Sequence, residues 1–297
     1  MYKKLFFALS LSFLCSFALA QLPKSNIYMF DMAQATDSTY EFSNPRYLTL
    51  FNQYGYNNHP SFFNDSILYI SAQSPSEAQP DLYELNLNAR SKLRVTYTAE
   101  GEFSPSVMPD EFNFSAVRQE FNGRDTLIRV WQFPVDRLSN GKPIFKYINN
   151  SGYYQWIDGY RIALFLVDDP NTLAIADIRT DETMEIATNV GRCFKLMPNG
   201  KLAFVQKDNF ESWKIMEKNL YRSREQAVVL IETLQGTEDF AVLPDGTLLA
   251  AKGSKLYRFN RYKDETWKEI ADFKYYEIRN ISRIAVSEDY KIAIVAN

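Results

Sequence analysis

Residues 239–253, DFAVLPDGTLLAAKG, contain the clearest pattern of apolar and polar positions in the chain. A short apolar run at 240–243 leads into a tight turn of Pro244, Asp245 and Gly246, and a second apolar run at 247–251 follows directly. Proline fixes φ at the first central position of a turn, and glycine accepts the positive φ that closes a hairpin. The pattern therefore predicts a β-hairpin.

The same design occurs six times along the chain. Its turn centres are Asp65, Asp110, Asp158, Asn199, Asp245 and Asp289. Successive centres lie 45, 48, 41, 46 and 44 residues apart. A fixed period of this size is typical of a β-propeller, in which each repeat forms one four-stranded blade. The sequence therefore predicts an all-β fold, a six-bladed β-propeller.

A third strand can be recognised in each repeat by a shared apolar pattern. These predicted strands are residues 26–32, 81–87, 127–133, 172–178, 212–218 and 255–260. The last repeat, 283–297, has two strands and then stops, whereas 26–51 offers two strands before the first complete repeat, the outermost at 46–51. We therefore expect the N-terminal strands to complete the last blade, because a ring closed in this way has no free sheet edge.

The blades can then be assigned in chain order. They are 59–97, 103–145, 153–188, 193–232, 239–273, and 283–297 together with 26–51. They occupy nearly all of 21–297, and we see no linker and no second domain in that range.

Several turns and one strand carry a resemblance to a known repeat. The segments are Ser104-Pro105 before Met108-Pro109-Asp110, MPNG at 197–200, LPDG at 243–246, and the strand DLYELNL at 81–87. They resemble the WD-like repeat of TolB-like propellers, whose blades carry a Ser-Pro-Asp-Gly type of turn before an apolar strand. The resemblance implies a propeller that binds envelope proteins or peptides, or that stands beside a peptidase domain.

Residues 1–20 have the three parts of a secretory signal peptide. Lys3 and Lys4 give the positive start, residues 5–17 the apolar centre, and Ala18-Leu19-Ala20 the small-residue cleavage site. No other segment approaches the roughly 20 apolar residues that a spanning helix needs. We expect cleavage after Ala20 and a periplasmic or secreted protein without a membrane span.

The net charge limits which partners the protein can bind, and the cysteine content limits how the fold can be stabilised. The chain has a formal net charge of −3, and nucleic-acid binding, which needs a clustered basic surface, is not expected. Cys193 is the one cysteine outside the leader, so no disulfide is expected and the core alone must hold the fold.

One end of the propeller channel is the expected site of function, because the connectors from each outer strand to the next inner strand meet there. The residue six positions before each turn centre faces or borders this mouth: His59, Ser104, Gly152, Cys193, Asp239 and Arg283. Together with neighbouring positions they suggest a set of binding residues. The set is His59, Glu102, Tyr153, Arg192, Asp239 and Arg283.

Two of these positions admit a chemical and a structural interpretation. His59 is the one histidine of the chain and would have to serve any Ser-His-Asp triad, but a histidine at a strand start more often bonds a neighbouring loop. Cys193 beside Arg192 is a weak candidate for a nucleophile, whereas a free cysteine is usually a small buried hydrophobe. We assign no catalytic residue.

Two functions are compatible with these features of the sequence. The first is a non-catalytic binding or scaffold module that presents its mouth to a protein, peptide or glycan. The alternative is a calcium-dependent hydrolase of the lactonase or esterase kind, because Asp168, Asp169 and Asp208 offer hard oxygen ligands near the same face. No cofactor is required by the first interpretation.

Overall fold

Six antiparallel sheets of four strands make up the fold. The computed structural model describes residues 22–36, 39–208, 213–222 and 224–297. Within them the strands are β1 Asn26–Gln34, β2 Tyr40–Tyr47, β3 Tyr56–Asn64, β4 Ile67–Gln73, β5 Asp81–Asn86, β6 Ser91–Arg94, β7 Gly101–Val107, β8 Asn113–Phe121, β9 Thr126–Pro134, β10 Lys142–Pro143, β11 Ser151–Trp156, β12 Arg161–Leu166, β13 Thr172–Asp177, β14 Thr183–Thr188, β15 Val190–Leu196, β16 Leu202–Gln206, β17 Lys214–Lys218, β18 Val228–Glu232, β19 Phe240–Val242, β20 Leu248–Lys252, β21 Lys255–Phe259, β22 Lys268–Asp272, β23 Ile281–Val286 and β24 Lys291–Ala296.

The sheets follow the repeat that the sequence predicts. Blades one to five contain β3–β6, β7–β10, β11–β14, β15–β18 and β19–β22, and blade six has the order β2-β1-β24-β23. The prediction of a six-bladed propeller closed by its N-terminal strands is therefore confirmed. The predicted signal peptide, residues 1–20, lies outside the described residues.

Burial along a blade falls from the second strand outward. The second strands β4, β12 and β24 are apolar and buried on both faces, whereas the outer strands β14, β18 and β22 are largely exposed. A strand packed between two neighbouring blades has no solvent face, which explains its continuous apolar run. Six buried clusters fill the gaps between neighbouring blades and form the core.

Closure of the ring rests on strand pairing and on buried polar contacts. β1 pairs antiparallel with β24, from Asn26 opposite Ala296 to Asp31 opposite Lys291. The buried Asn57 of blade one donates from Nδ2 to the carbonyl of Ser25 at 2.8 Å, and the Ser25 hydroxyl donates to the carbonyl of Asn57 at 2.8 Å. These bonds fasten the start of blade six to blade one.

The predicted outermost strand at 46–51 is wrong. β2 ends at Tyr47, and a 3-10 turn, Leu50–Asn52, follows. The outer strand faces solvent, so its apolar pattern did not mark its ends. A second 3-10 turn, Phe273–Tyr276, joins β22 to β23. No helix in the described part of the chain is long and apolar enough to cross a membrane.

Candidate functional site

The inner strands bend where they meet the channel. His59 and Ser104 adopt φ values of 54° and 51°, and the pairing of β3 with β4 and of β7 with β8 shifts register at these residues. Such β-bulges increase the local twist and redirect side chains. The predicted ring of mouth residues therefore coincides with a change in strand direction.

Side chains of the ring bind the backbone of the next blade. His59 Nδ1 accepts from the Ser104 N–H at 3.0 Å, and Asp239 Oδ1 accepts from the Ile284 N–H at 3.0 Å. Cys193 Sγ accepts from the Phe240 N–H at 3.3 Å. Three of the predicted ring positions thus have a structural role, because each accepts a hydrogen bond from a backbone N–H in the inner strand of the following blade.

His59 is buried among aromatic rings. Its ring meets those of Phe103 and Tyr153 edge-on, with centroids 6.0 Å and 6.2 Å away. Burial, together with the positive charges of Arg283 and Arg192, lowers its pKa well below the ordinary value. His59 is therefore a neutral hydrogen-bond acceptor, and it adds no positive charge to the channel that it lines. This role agrees with the interpretation that a histidine at a strand start bonds a neighbouring segment.

Cys193 is buried, and this burial, with the charge of Asp239, raises the pKa of its thiol to about 12. The thiolate needed for nucleophilic attack is thus disfavoured. This environment matches that of a small buried hydrophobe.

A cleft opens on the mouth between blades four, five and six. Its volume is about 280 Å³, and a narrower channel cavity of about 130 Å³ lies beside it. Arg192, Asp239, Arg283 and Ile284 line both cavities. The cleft adds residues that the sequence analysis did not select: Trp213, Thr237, Glu238 and Ser282. His59 and Tyr153 line the channel. The structure therefore brings five of the six predicted binding residues together.

Glu238 organises the charges on one side of the cleft. Its carboxylate pairs with Arg192 Nε at 3.0 Å and with Lys207 Nζ at 3.0 Å, and it accepts the Arg192 N–H at 3.1 Å. Gly191 makes room for this contact, since a Cβ there would lie 2.6 Å from Glu238 Oε2. Glu238 is the last residue of the connector between blades four and five, which the sequence predicts to lie at the mouth. Its position in this connector is the sequence feature that could have identified it as a site residue.

Asp239 and Arg283 form the other side. Arg283 Nε lies 3.8 Å from Asp239 Oδ2, and the guanidinium lies over the Tyr153 ring with its carbon 5.7 Å from the centroid. Burial raises the pKa of Asp239, and the nearby Arg283 and Lys195 charges partly oppose this shift. The ion pair is longer than a hydrogen bond.

Glu102 lies apart from the other predicted binding residues. It is fully buried, its Oε1 accepts from Arg118 Nε at 2.9 Å and from the Thr98 hydroxyl at 2.6 Å, and Thr96 donates to Oε2 at 3.2 Å. Burial raises its pKa to about 7, against the effect of these donors. Glu102 therefore serves the interior of the fold and does not line the mouth cleft.

The candidate calcium ligands lie on two loops, Asp168 and Asp169 between β12 and β13 and Asp208 after β16. Asp168 is exposed and accepts from Asn150 Nδ2 at 2.9 Å, Asp169 is exposed beside it, and Asp208 follows β16. Among the described residues, no three His, Cys, Asp or Glu side chains are grouped so that they could hold one ion. The calcium site stays a prediction of the sequence.

The fold and its polar mouth define a six-bladed propeller with a candidate binding cleft. No family model and no curated protein matches the chain. The TolB-like recognition is confirmed at the level of the fold, because TolB structures are among the similar solved structures. The putative TolB from Agrobacterium tumefaciens has a TM-score of 0.65 at 12% identity, with 92% of this chain and 98% of that chain covered.

TolB from Acinetobacter baumannii has a TM-score of 0.56 at 14% identity, and the match covers 92% of this chain but only 64% of that longer chain. Oligogalacturonate lyase from Vibrio parahaemolyticus has a TM-score of 0.51 at 13% identity, with 92% and 98% covered. At these identities the similarity concerns the fold, which hosts enzymes and other proteins alike.

Proposed function

We propose that this protein is an exported binding module that recognises a protein partner with the cleft at its channel mouth. The observation that carries the proposal is the meeting of Arg192, Trp213 and Arg283 around one cleft. Arginine and tryptophan are the residue types that most often dominate binding energy at protein interfaces. A glycan is the alternative partner, and we favour a protein because this cleft joins two guanidinium groups to an indole.

The cleft also combines an aromatic side chain with a charged rim, as binding interfaces do. Trp213 is half-buried, with Lys207 Nζ 4.4 Å from its ring centroid, and Arg192 is 42% exposed. A partner that covers these groups would remove apolar surface from water and leave the charged rim in contact with solvent. Asp239, which lines the cleft, accepts the Ile284 N–H, and His59, which lines the adjoining channel, accepts the Ser104 N–H, so both side chains are held in place by backbone hydrogen bonds.

Capture from an envelope extract of the producing cells tests the proposal. We expect the intact protein to retain a partner that Arg192→Ala and Trp213→Ala lose while both variants keep the thermal transition of the parent. Tyr262→Ala is the matched control, since Tyr262 is an exposed aromatic in the turn between β21 and β22, the outer strands of blade five, and does not line the cleft. Equal capture by all variants, or retained material that is carbohydrate, would count against the proposal.

Export is part of the same proposal and rests on residues 1–20. Sequencing the N-terminus of protein recovered outside the cytoplasm should give Gln21 as the first residue. A chain that starts at Met1 and stays in the cytoplasm would contradict export.

A further inference from the structure

We propose that Arg283, assisted by Arg192, binds a carboxylate group of a ligand that enters the channel mouth. This inference rests on the proposed function, since it concerns the same cleft, and it specifies the chemistry recognised there.

Arg283 is incompletely paired within the protein. Its side chain is 17% exposed, its Nε has no hydrogen-bond partner among the described residues, and its ion pair to Asp239 spans 3.8 Å. The buried Arg118, by contrast, donates from Nε to Glu102 at 2.9 Å. A largely buried guanidinium without close acceptors retains an uncompensated desolvation penalty, which an incoming anion would offset.

Asp239, the nearest carboxylate, is already engaged elsewhere. Its Oδ1 accepts the Ile284 N–H at 3.0 Å, a bond that joins blade five to blade six. If Asp239 turned toward Arg283, this backbone donor would lose its acceptor. The carboxylate closest to Arg283 is therefore held away from it by the fold, and the guanidinium remains available for another acceptor.

The local balance of charge at the mouth is positive. Arg192, Lys195, Lys207 and Arg283 oppose Glu238 and Asp239, and Glu238 is shared between Arg192 and Lys207. The neutral His59 adds no charge beneath them. The walls of the cleft and the channel thus have an excess of positive charge in a chain whose net charge is −3. An anion gains from this field, and a cation does not.

The geometry favours a planar anion. The guanidinium of Arg283 lies over the Tyr153 ring, with its carbon 5.7 Å from the ring centroid. A guanidinium offers parallel N–H groups that match the two oxygens of a carboxylate. Such a carboxylate is found at a peptide C-terminus, on an acidic side chain, or on an acidic sugar. The carboxylate is the group that these sources share, and the probes below separate them.

The test is a titration of the full mature chain followed by the arginine Nε–Hε resonances in NMR. The probes are N-acetylalanine and its amide, which differ in the carboxylate alone, and galacturonate with galactose as its neutral counterpart. We expect the acids to bind in the millimolar range and to shift the Arg283 resonance, while the amide and galactose do not. A preference for N-acetylalanine indicates a peptide source, and a preference for galacturonate indicates a sugar.

Two variants test whether the acids bind at Arg283. Arg283→Lys keeps the charge but removes the forked donors, and we expect roughly tenfold weaker binding of the preferred acid. Arg179→Lys is the control at an exposed arginine beyond β13. The inference is overturned if the amide binds as well as the acid, if no probe binds, or if Arg283→Lys has no effect.

The outcome is separable from that of the proposed function. If Trp213→Ala loses partner capture and the parent protein binds none of the acids, the protein-binding function is supported and the carboxylate site is contradicted. If the acids bind at Arg283 and Trp213→Ala still captures the partner, the carboxylate site is supported and the proposed protein-binding cleft is contradicted.

Discussion

His59 Nδ1 accepts a hydrogen bond from the backbone N–H of Ser104 at 3.0 Å, and the two residues occupy the same position of successive repeats. Both adopt a positive φ, so the bulge that aims His59 at blade two is repeated in blade two itself. Asp239 and Cys193 make corresponding bonds to the blades that follow them. Three positions of the ring around the channel therefore hold neighbouring blades together, whereas Arg283, a fourth position of the ring, has an Nε without a hydrogen-bond partner among the described residues.

Replacing His59 by alanine should lower the free energy of unfolding by about 1–3 kcal/mol, because the partly buried N–H of Ser104 loses its acceptor. Urea denaturation followed by circular dichroism measures the change. Arg90→Ala is the matched control: Arg90 has a φ of 52° but is exposed, so it reports the backbone effect of alanine alone. If both variants lose the same stability, the hydrogen bond between blades contributes nothing.

Glu102 should make the stability of the protein depend on pH. Its pKa is raised from 4.5 to about 7, chiefly by burial, so the folded state holds a proton that the unfolded state releases. This contribution is complete below pH 4.5 and is lost as pH rises through 7. We therefore expect the free energy of unfolding to fall across this interval, by about 3 kcal/mol in total.

Glu102→Gln cannot titrate, so denaturation at several pH values should show this decrease in the parent and not in the variant. Glu41→Gln, at an exposed position of β2, is the control. Parallel pH profiles for the parent and Glu102→Gln would show that burial does not govern the proton at this site.

Removal of residues 26–47 should prevent folding of the remaining chain. β24 would lose its partner β1, and the buried Ile27, Met29 and Phe30 would no longer cover blades one and five. A chain that begins at residue 22 and keeps β1 is the control. Size-exclusion chromatography and thermal melting distinguish the two, and a monomeric deletion variant with a cooperative transition would argue against closure by these strands.

The propeller could be predicted because its signals are local. A turn such as Pro244-Asp245-Gly246 constrains φ at each position, and the second strands are apolar throughout, so both recur with the period of the blade. The outer strands were harder, because β2 and β6 lie mostly at the surface and little in their composition marks where they end.

The composition of the cleft could be predicted only in part. The ring positions follow from the period, which is why Asp239 and Arg283 were found, and Arg192 was found as the neighbour of the ring position Cys193. Trp213 and Glu238 belong to the connections of blade four, and only the folded ring shows that they reach the same cleft. Glu102 was placed at the mouth because it ends the connector 98–102 between blades one and two, whereas its pairing with the buried Arg118 depends on the register of β7 and β8.

The central claim is that the partner sits on the mouth cleft, and site-specific photo-cross-linking in living cells tests it most directly. A photoreactive residue at Ser282, on the cleft, should yield a covalent adduct with a protein. The same residue at Tyr262, in the turn between the outer strands β21 and β22, should not. An adduct at Tyr262 with none at Ser282 would contradict the account.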